Sequence, residues 1–132
     1  MSLGLDTSVV VRLILGVPAA LAETARRRLE RARAEGERVH VTDLVLAEAY
    51  VALQYHYGVS KGESAALLSR FAASGAVLVP ARTLSALQSA SGGGLADRLI
   101  VARHEIEGWK TVTFDQRQAR AGQAELLRAP RR

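Results

Sequence analysis

At 132 residues the chain has the length of one compact domain, and residues 1–132 are expected to form a single one. With 48% hydrophobic and 23% charged residues it is too apolar for a disordered segment, and the absence of cysteine excludes a disulfide framework and a thiolate zinc site. The formal charge of +5, carried almost wholly by arginine, favours an anionic partner.

Near the N-terminus the apolar residues 9–11 and 13–15 are interrupted by Arg12, which disfavours both export and membrane insertion, so a cytoplasmic protein is expected. Residues 3–6 read as a short buried strand ending in a polar turn at Asp6, Thr7 and Ser8. Residues 9–15 then have the apolar density of a helix, stopped by Gly16 and Pro18. From 19 to about 35 a helical pattern sets Ala and Leu against Arg26, Arg27, Arg28, Arg31 and Arg33, with Gly36 as its stop. These arginines are mixed with Glu23, Glu30, Glu35 and Glu37, the pattern of a solvated face with pairs along the helix.

Residues 38–41 form a second β-like run, Thr42 caps a helix to about residue 57, and Ser60 caps another to residue 73. Residues 76–79 are a third β run closed by Pro80, 83–89 are helical, and 91–94 are a glycine-rich loop. Residues 95–107 form a helix ended by Gly108. Residues 110–114 are a strand leading to Asp115 and a last short helix, and 125–127 are a candidate late edge strand. Strands that alternate with helices imply right-handed crossovers and a parallel sheet covered on both faces. The expected fold is a three-layer α/β/α sandwich around a parallel sheet of four or five short strands.

Four acids stand out against this pattern. Asp6 and Asp115 each follow a predicted strand, at the carboxyl end where parallel sheets bind ligands. A turn of about 100° per residue sets Glu48 in an apolar stripe with Leu44, Val51 and Tyr55. Asp97 lies in the first turn of its helix beside Ile100, Val101 and His104, with Leu95, Leu99, Ala102 and Ile106 opposite, so it is expected to point inward. Buried carboxylates are costly and repel one another unless paired or ligated, and hard divalent cations such as Mg²⁺ or Mn²⁺ relieve both costs. Each acid also has an ordinary reading. Glu48 can pair with an arginine or leave the stripe at its edge, Asp97 can complement the helix end, and Asp115 can cap the last helix. His40, His56 and His104 lack the spacing of a zinc site, and the aromatic residues are too dispersed for a base-stacking platform.

The segments LDTSVVVRL (5–13), VLAEA (45–49), LADRLIVA (95–102) and TFD (113–115) together resemble the four acidic motifs of the PIN-domain family, and within it the VapC-type ribonuclease toxins of type II toxin–antitoxin (VapBC) modules. The resemblance covers nearly the whole chain in the expected order. Two departures are the loop at Gly16, Val17 and Pro18, which lacks a common acidic residue, and Gln116 after Asp115, where a charged residue is frequent. The resemblance implies a magnesium- or manganese-dependent endoribonuclease in which Asp6, Glu48, Asp97 and Asp115 bind one or two ions and carry the hydrolysis. Thr7, Ser8, Arg12 and Thr113 would support the acids or a phosphate. It also implies an RNA substrate, a cognate VapB-like antitoxin across the acids, and a homodimer.

Two other readings compete. A PIN-like module that has lost catalysis would bind RNA or protein without cutting. A phosphatase of the haloacid dehalogenase type also begins with an acid after the first strand, but needs a second aspartate where this chain has Ser8.

Overall fold

The computed structural model describes residues 1–89, 94–120 and 124–130, and the chain divides into two compact units, Met1–Pro80 and Ala81–Arg132. In the first unit β1 (Ser2–Gly4) runs parallel to β2 (Arg38–His40), with Leu3 opposite Val39. The ladder extends one bond further, from the Leu5 N–H to the His40 carbonyl at 3.0 Å. Leu78 joins on the other side of β2. Its N–H donates to the Val39 carbonyl at 2.7 Å, and its carbonyl accepts from the Val41 N–H at 3.1 Å.

The helices of this unit begin and end where local chemistry dictates. Asp6 caps α1 (Thr7–Leu15), which ends at Gly16 with φ of 72°, a left-handed conformation that glycine adopts without a Cβ penalty. After α2 (Ala19–Ala34), Thr42 caps α3 (Asp43–Tyr55) by accepting from the Val45 N–H. Ser60 caps α4 (Lys61–Ala72) by accepting from the Glu63 N–H. On α2 Glu23 accepts from Arg26 and Arg27, and those hydrogen bonds, that of Arg26 first, hold its carboxyl below its usual range. Val10, Val11, Leu46, Leu53 and Leu68 are fully buried in the core; each such side chain contributes roughly 1.5–3 kcal/mol by leaving water.

In the second unit α5 (Ala81–Gln88) packs on α6 (Leu95–Glu107), and the Arg98 Nε donates to the Ala86 carbonyl at 2.8 Å. Gly108, with φ of 78°, ends α6. β3 (Thr111–Thr113) leads into the short α7 (Gln116–Gln118) and pairs in parallel with β4 (Ala124–Leu126), so the late strand exists and lies one residue earlier than expected.

The mixed α/β class and the parallel pairing agree with the sequence, but the single sheet of four or five strands does not. The described strands form two two-stranded parallel sheets, and the expected strand over 76–79 is reduced to the bridge at Leu78. The chain bends from Ser74 through Val77, with Gly75 at φ of 84°, and Pro80 has no N–H to extend a ladder. Each remaining strand is only three residues long. Of the glycine-rich loop expected over 91–94, residues 91–93 lie outside the described residues.

Candidate metal-binding acids

Asp6 sits just past the carboxyl end of β1. As the N-cap of α1 it has extended backbone (φ −83°, ψ 162°), and its Oδ1 accepts from the Thr7 N–H at 2.8 Å. The Thr7 hydroxyl donates in turn to Glu48 Oε1 at 3.1 Å, bridging α1 and α3 across 41 positions of sequence. Thr7 thus holds one oxygen of each carboxylate. Among the described residues no hydrogen bond reaches the second oxygen of either.

Glu48 is exposed, and so is the stripe around it. Leu44, Val51 and Tyr55 are 69%, 50% and 80% exposed, while Leu46, Ala49 and Leu53 form the buried face of α3. This reverses the sequence expectation. A helix with apolar residues on both sides has no periodicity that says which side faces in.

Asp97, in the first turn of α6, is half-buried. Its expected inward setting holds only in part: Leu95, Leu99 and Ala102 are buried, Val101 and His104 are half-buried, and Ile100 and Ile106 are exposed. His104 instead shares a 2.8 Å hydrogen bond between its Nδ1 and the hydroxyl of Thr111.

Asp115 is the N-cap of α7. Its Oδ1 accepts from the N–H groups of Arg117 (2.8 Å) and Gln118 (3.4 Å), while its own N–H donates to the Thr113 hydroxyl at 2.9 Å. Arg12 turns back on its own helix, Nη1 donating to the Ser8 carbonyl at 3.1 Å, and Ser8 itself is exposed.

Burial therefore does not force a cation on these acids, since Asp6, Glu48 and Asp115 are exposed. Like Glu30, Glu35 and Glu125, they have no counter-ion among the described residues. Glu23, Glu37, Glu63, Glu105 and Glu107 each pair with an arginine, whereas Asp6, Glu48, Asp97 and Asp115 have no ion pair among the described residues. Among the described residues no group of three or more histidines, aspartates or glutamates gathers closely enough to hold a metal ion.

The model of the PIN domain family matches residues 4–124. The chain belongs to the PIN domain family. No curated protein matches it significantly. The PIN match includes all four acids and runs through both units, ending at the first residue of β4. Family membership is consistent with nuclease activity in general.

The donor chemistry of the first unit fits a hard cation. Asp6 and Glu48 offer carboxylate oxygens without a competing cation, and Mg²⁺ keeps several waters and is commonly held by only one or two carboxylates. The sequence identified Thr7 as a residue able to hold an acid. That its hydroxyl reaches Glu48 was not legible, because the contact depends on how α1 packs against α3.

Proposed function

We propose that this PIN domain is a metal-dependent endoribonuclease that hydrolyses RNA phosphodiester bonds as the VapC-like toxin of a toxin–antitoxin module. The observation that carries this reading is the hydrogen-bonded link Asp6–Thr7–Glu48 inside the stretch matched by the family. The two carboxylates would repel each other and an incoming phosphate unless a cation lay between them and the substrate. A bound Mg²⁺ or Mn²⁺ supplies a water of lowered pKa and offsets the negative charge that builds on the scissile phosphate.

The protein's part is positional. The Thr7 N–H and O–H fix one oxygen of Asp6 and one of Glu48, leaving the other two oxygens as donors. Asp97 and Asp115 are assigned to the same reaction by the order of the acidic motifs along the chain, and Thr113, Ser8 and Arg12 to supporting roles on the same ground. One domain over residues 1–132, with the three-layer arrangement of the family, is part of the proposal.

An RNA substrate, a cognate VapB-like antitoxin, a homodimer and a cytoplasmic setting complete the reading. The exposed apolar stripe of α3 supports a protein partner, because contiguous exposed apolar surface commonly marks an interaction site. Among the described residues no single helix is long and apolar enough to cross a membrane.

A second reading, a PIN domain without catalysis that binds RNA or protein, draws on the lack of a three-acid group among the described residues. Cleavage of an end-labelled RNA in Mg²⁺ or Mn²⁺ separates the two. The nuclease reading requires products in the wild type that disappear with EDTA and in Glu48→Gln. Intact RNA across a varied panel, with folded wild-type protein and metal present, supports the silent module.

A further inference from the structure

A cavity of about 580 Å³ opens in the first unit between α2, the start of β2 and the segment from Ser74 to Leu78. Arg38 opens β2, whereas Asp6 follows the other end of its parallel neighbour β1, so this cavity and Asp6 belong to opposite ends of the strands.

Two cations in its wall differ from Arg26, Arg27 and Arg28 of the neighbouring helix. On α2, Arg26 and Arg27 are paired with Glu23, and Arg28 Nη1 holds Glu37 at 3.1 Å. Arg33 and Arg38 line the cavity and have no carboxylate partner among the described residues. Two acids, Glu30 and Glu37, line the cavity as well. Glu37 is taken by Arg28, and among the described residues Glu30 makes no ion pair although it precedes Arg33 by three positions, a spacing at which helical pairs form. The buried side chains of Val39 and Val77 also contribute to the lining, while Arg33 and Arg38 are themselves exposed and open to a ligand from solvent.

We propose that this cavity is an anion site that takes a phosphate group on Arg33 and Arg38, separate from the site of the acids. Two guanidinium groups without counter-ions beside one concavity match the double charge of a phosphate, and each offers the forked donors that bind phosphate oxygens in pairs. The phosphate is that of a free nucleotide or of an RNA strand, and both sources present the same chemistry to the arginines.

Calorimetric titration of the whole chain in metal-free buffer tests this with three probes: inorganic phosphate, a 5′-mononucleotide, and a short RNA made uncleavable by 2′-O-methylation. Saturable binding is expected for at least one of the last two. It should weaken about tenfold or more in the Arg33→Gln/Arg38→Gln double variant, tighten in Glu30→Gln, and stay unchanged in Glu48→Gln. Arg33→Lys/Arg38→Lys should fall between wild type and the glutamine variant, which separates lost charge from a disturbed fold. Equal affinity for mononucleotide and oligonucleotide assigns the site to free nucleotides; much tighter oligonucleotide binding assigns it to RNA. Unchanged affinity in a folded glutamine double variant, or no saturable binding of any probe at millimolar concentration, overturns the proposal. Because Glu48→Gln abolishes cleavage in the proposed function and leaves this binding intact, failure of one claim is distinguishable from failure of the other.

Discussion

The Thr7 hydroxyl donates to Glu48 Oε1 at 3.1 Å while the Thr7 N–H donates to Asp6 Oδ1 at 2.8 Å, so one residue sets the orientation of two carboxylates that lie 42 positions apart, 48 minus 6. Removing the hydroxyl frees Glu48 to rotate but leaves the backbone contact to Asp6. Thr7→Val is therefore expected to lower both Mn²⁺ affinity and RNA cleavage by about tenfold, and Thr7→Ser to restore most of each. A valine variant that binds metal and cuts RNA as wild type would show that Glu48 needs no such restraint.

Capping and the proposed ligation are separable at Asp6 and Asp115, because asparagine caps a helix as well as aspartate does but is a poor ligand for a hard cation. Asp6→Asn and Asp115→Asn should keep the melting temperature and lose cleavage. Asp6→Ala should lose cleavage and, in addition, about 1 kcal/mol of stability. Denaturant unfolding of the variants checks this. Loss of stability in the asparagine pair would mean that the negative charge itself holds the helix starts.

The reversal of α3 gives a direct contrast between two leucines on one helix. Leu53→Ala removes a side chain with 0% exposure and is expected to cost about 3 kcal/mol, whereas Leu44→Ala, at 69% exposure, should change stability by less than about 0.5 kcal/mol. Urea unfolding at a concentration that keeps the chain monomeric decides it. Similar losses at both positions would put Leu44 in the core after all.

Ser64 on α4 is fully buried, and its hydroxyl has no hydrogen-bond partner among the described residues. A buried polar group without a partner costs about 1–3 kcal/mol, and alanine is the better helix former. Ser64→Ala is expected to raise stability by roughly 1 kcal/mol, read as a higher melting temperature. A lower one would point to a buried water satisfying the hydroxyl.

Much of the helical architecture was legible in the sequence because helix ends depend on neighbouring residues. Thr42 and Ser60 cap as expected, Gly16 and Gly108 terminate as expected, and the helix predicted over 95–107 has the observed bounds, whereas the cap at Asp6 was read only as a polar turn. What depends on packing was not legible. The inward face of α3 is one case, since both of its faces carry apolar side chains. The shortening of 76–79 to a single bridge is another, because it follows from the bend through Val77. The four acids were found by type and position, but their exposure and the Thr7 link required coordinates. Pairing of Glu23 with Arg26 and Arg27 could be read from spacing, whereas that of Arg28 with Glu37, beyond the end of α2, could not.

Asp97 is assigned to the proposed reaction by the order of the acidic motifs along the chain. Single-turnover cleavage of a labelled RNA in Mn²⁺ by wild type and by Asp97→Asn tests it most directly. The rate is expected to fall by about a hundredfold or more in Asp97→Asn, with an unchanged circular dichroism spectrum and melting temperature. Wild-type cleavage by a folded Asp97→Asn protein would contradict it.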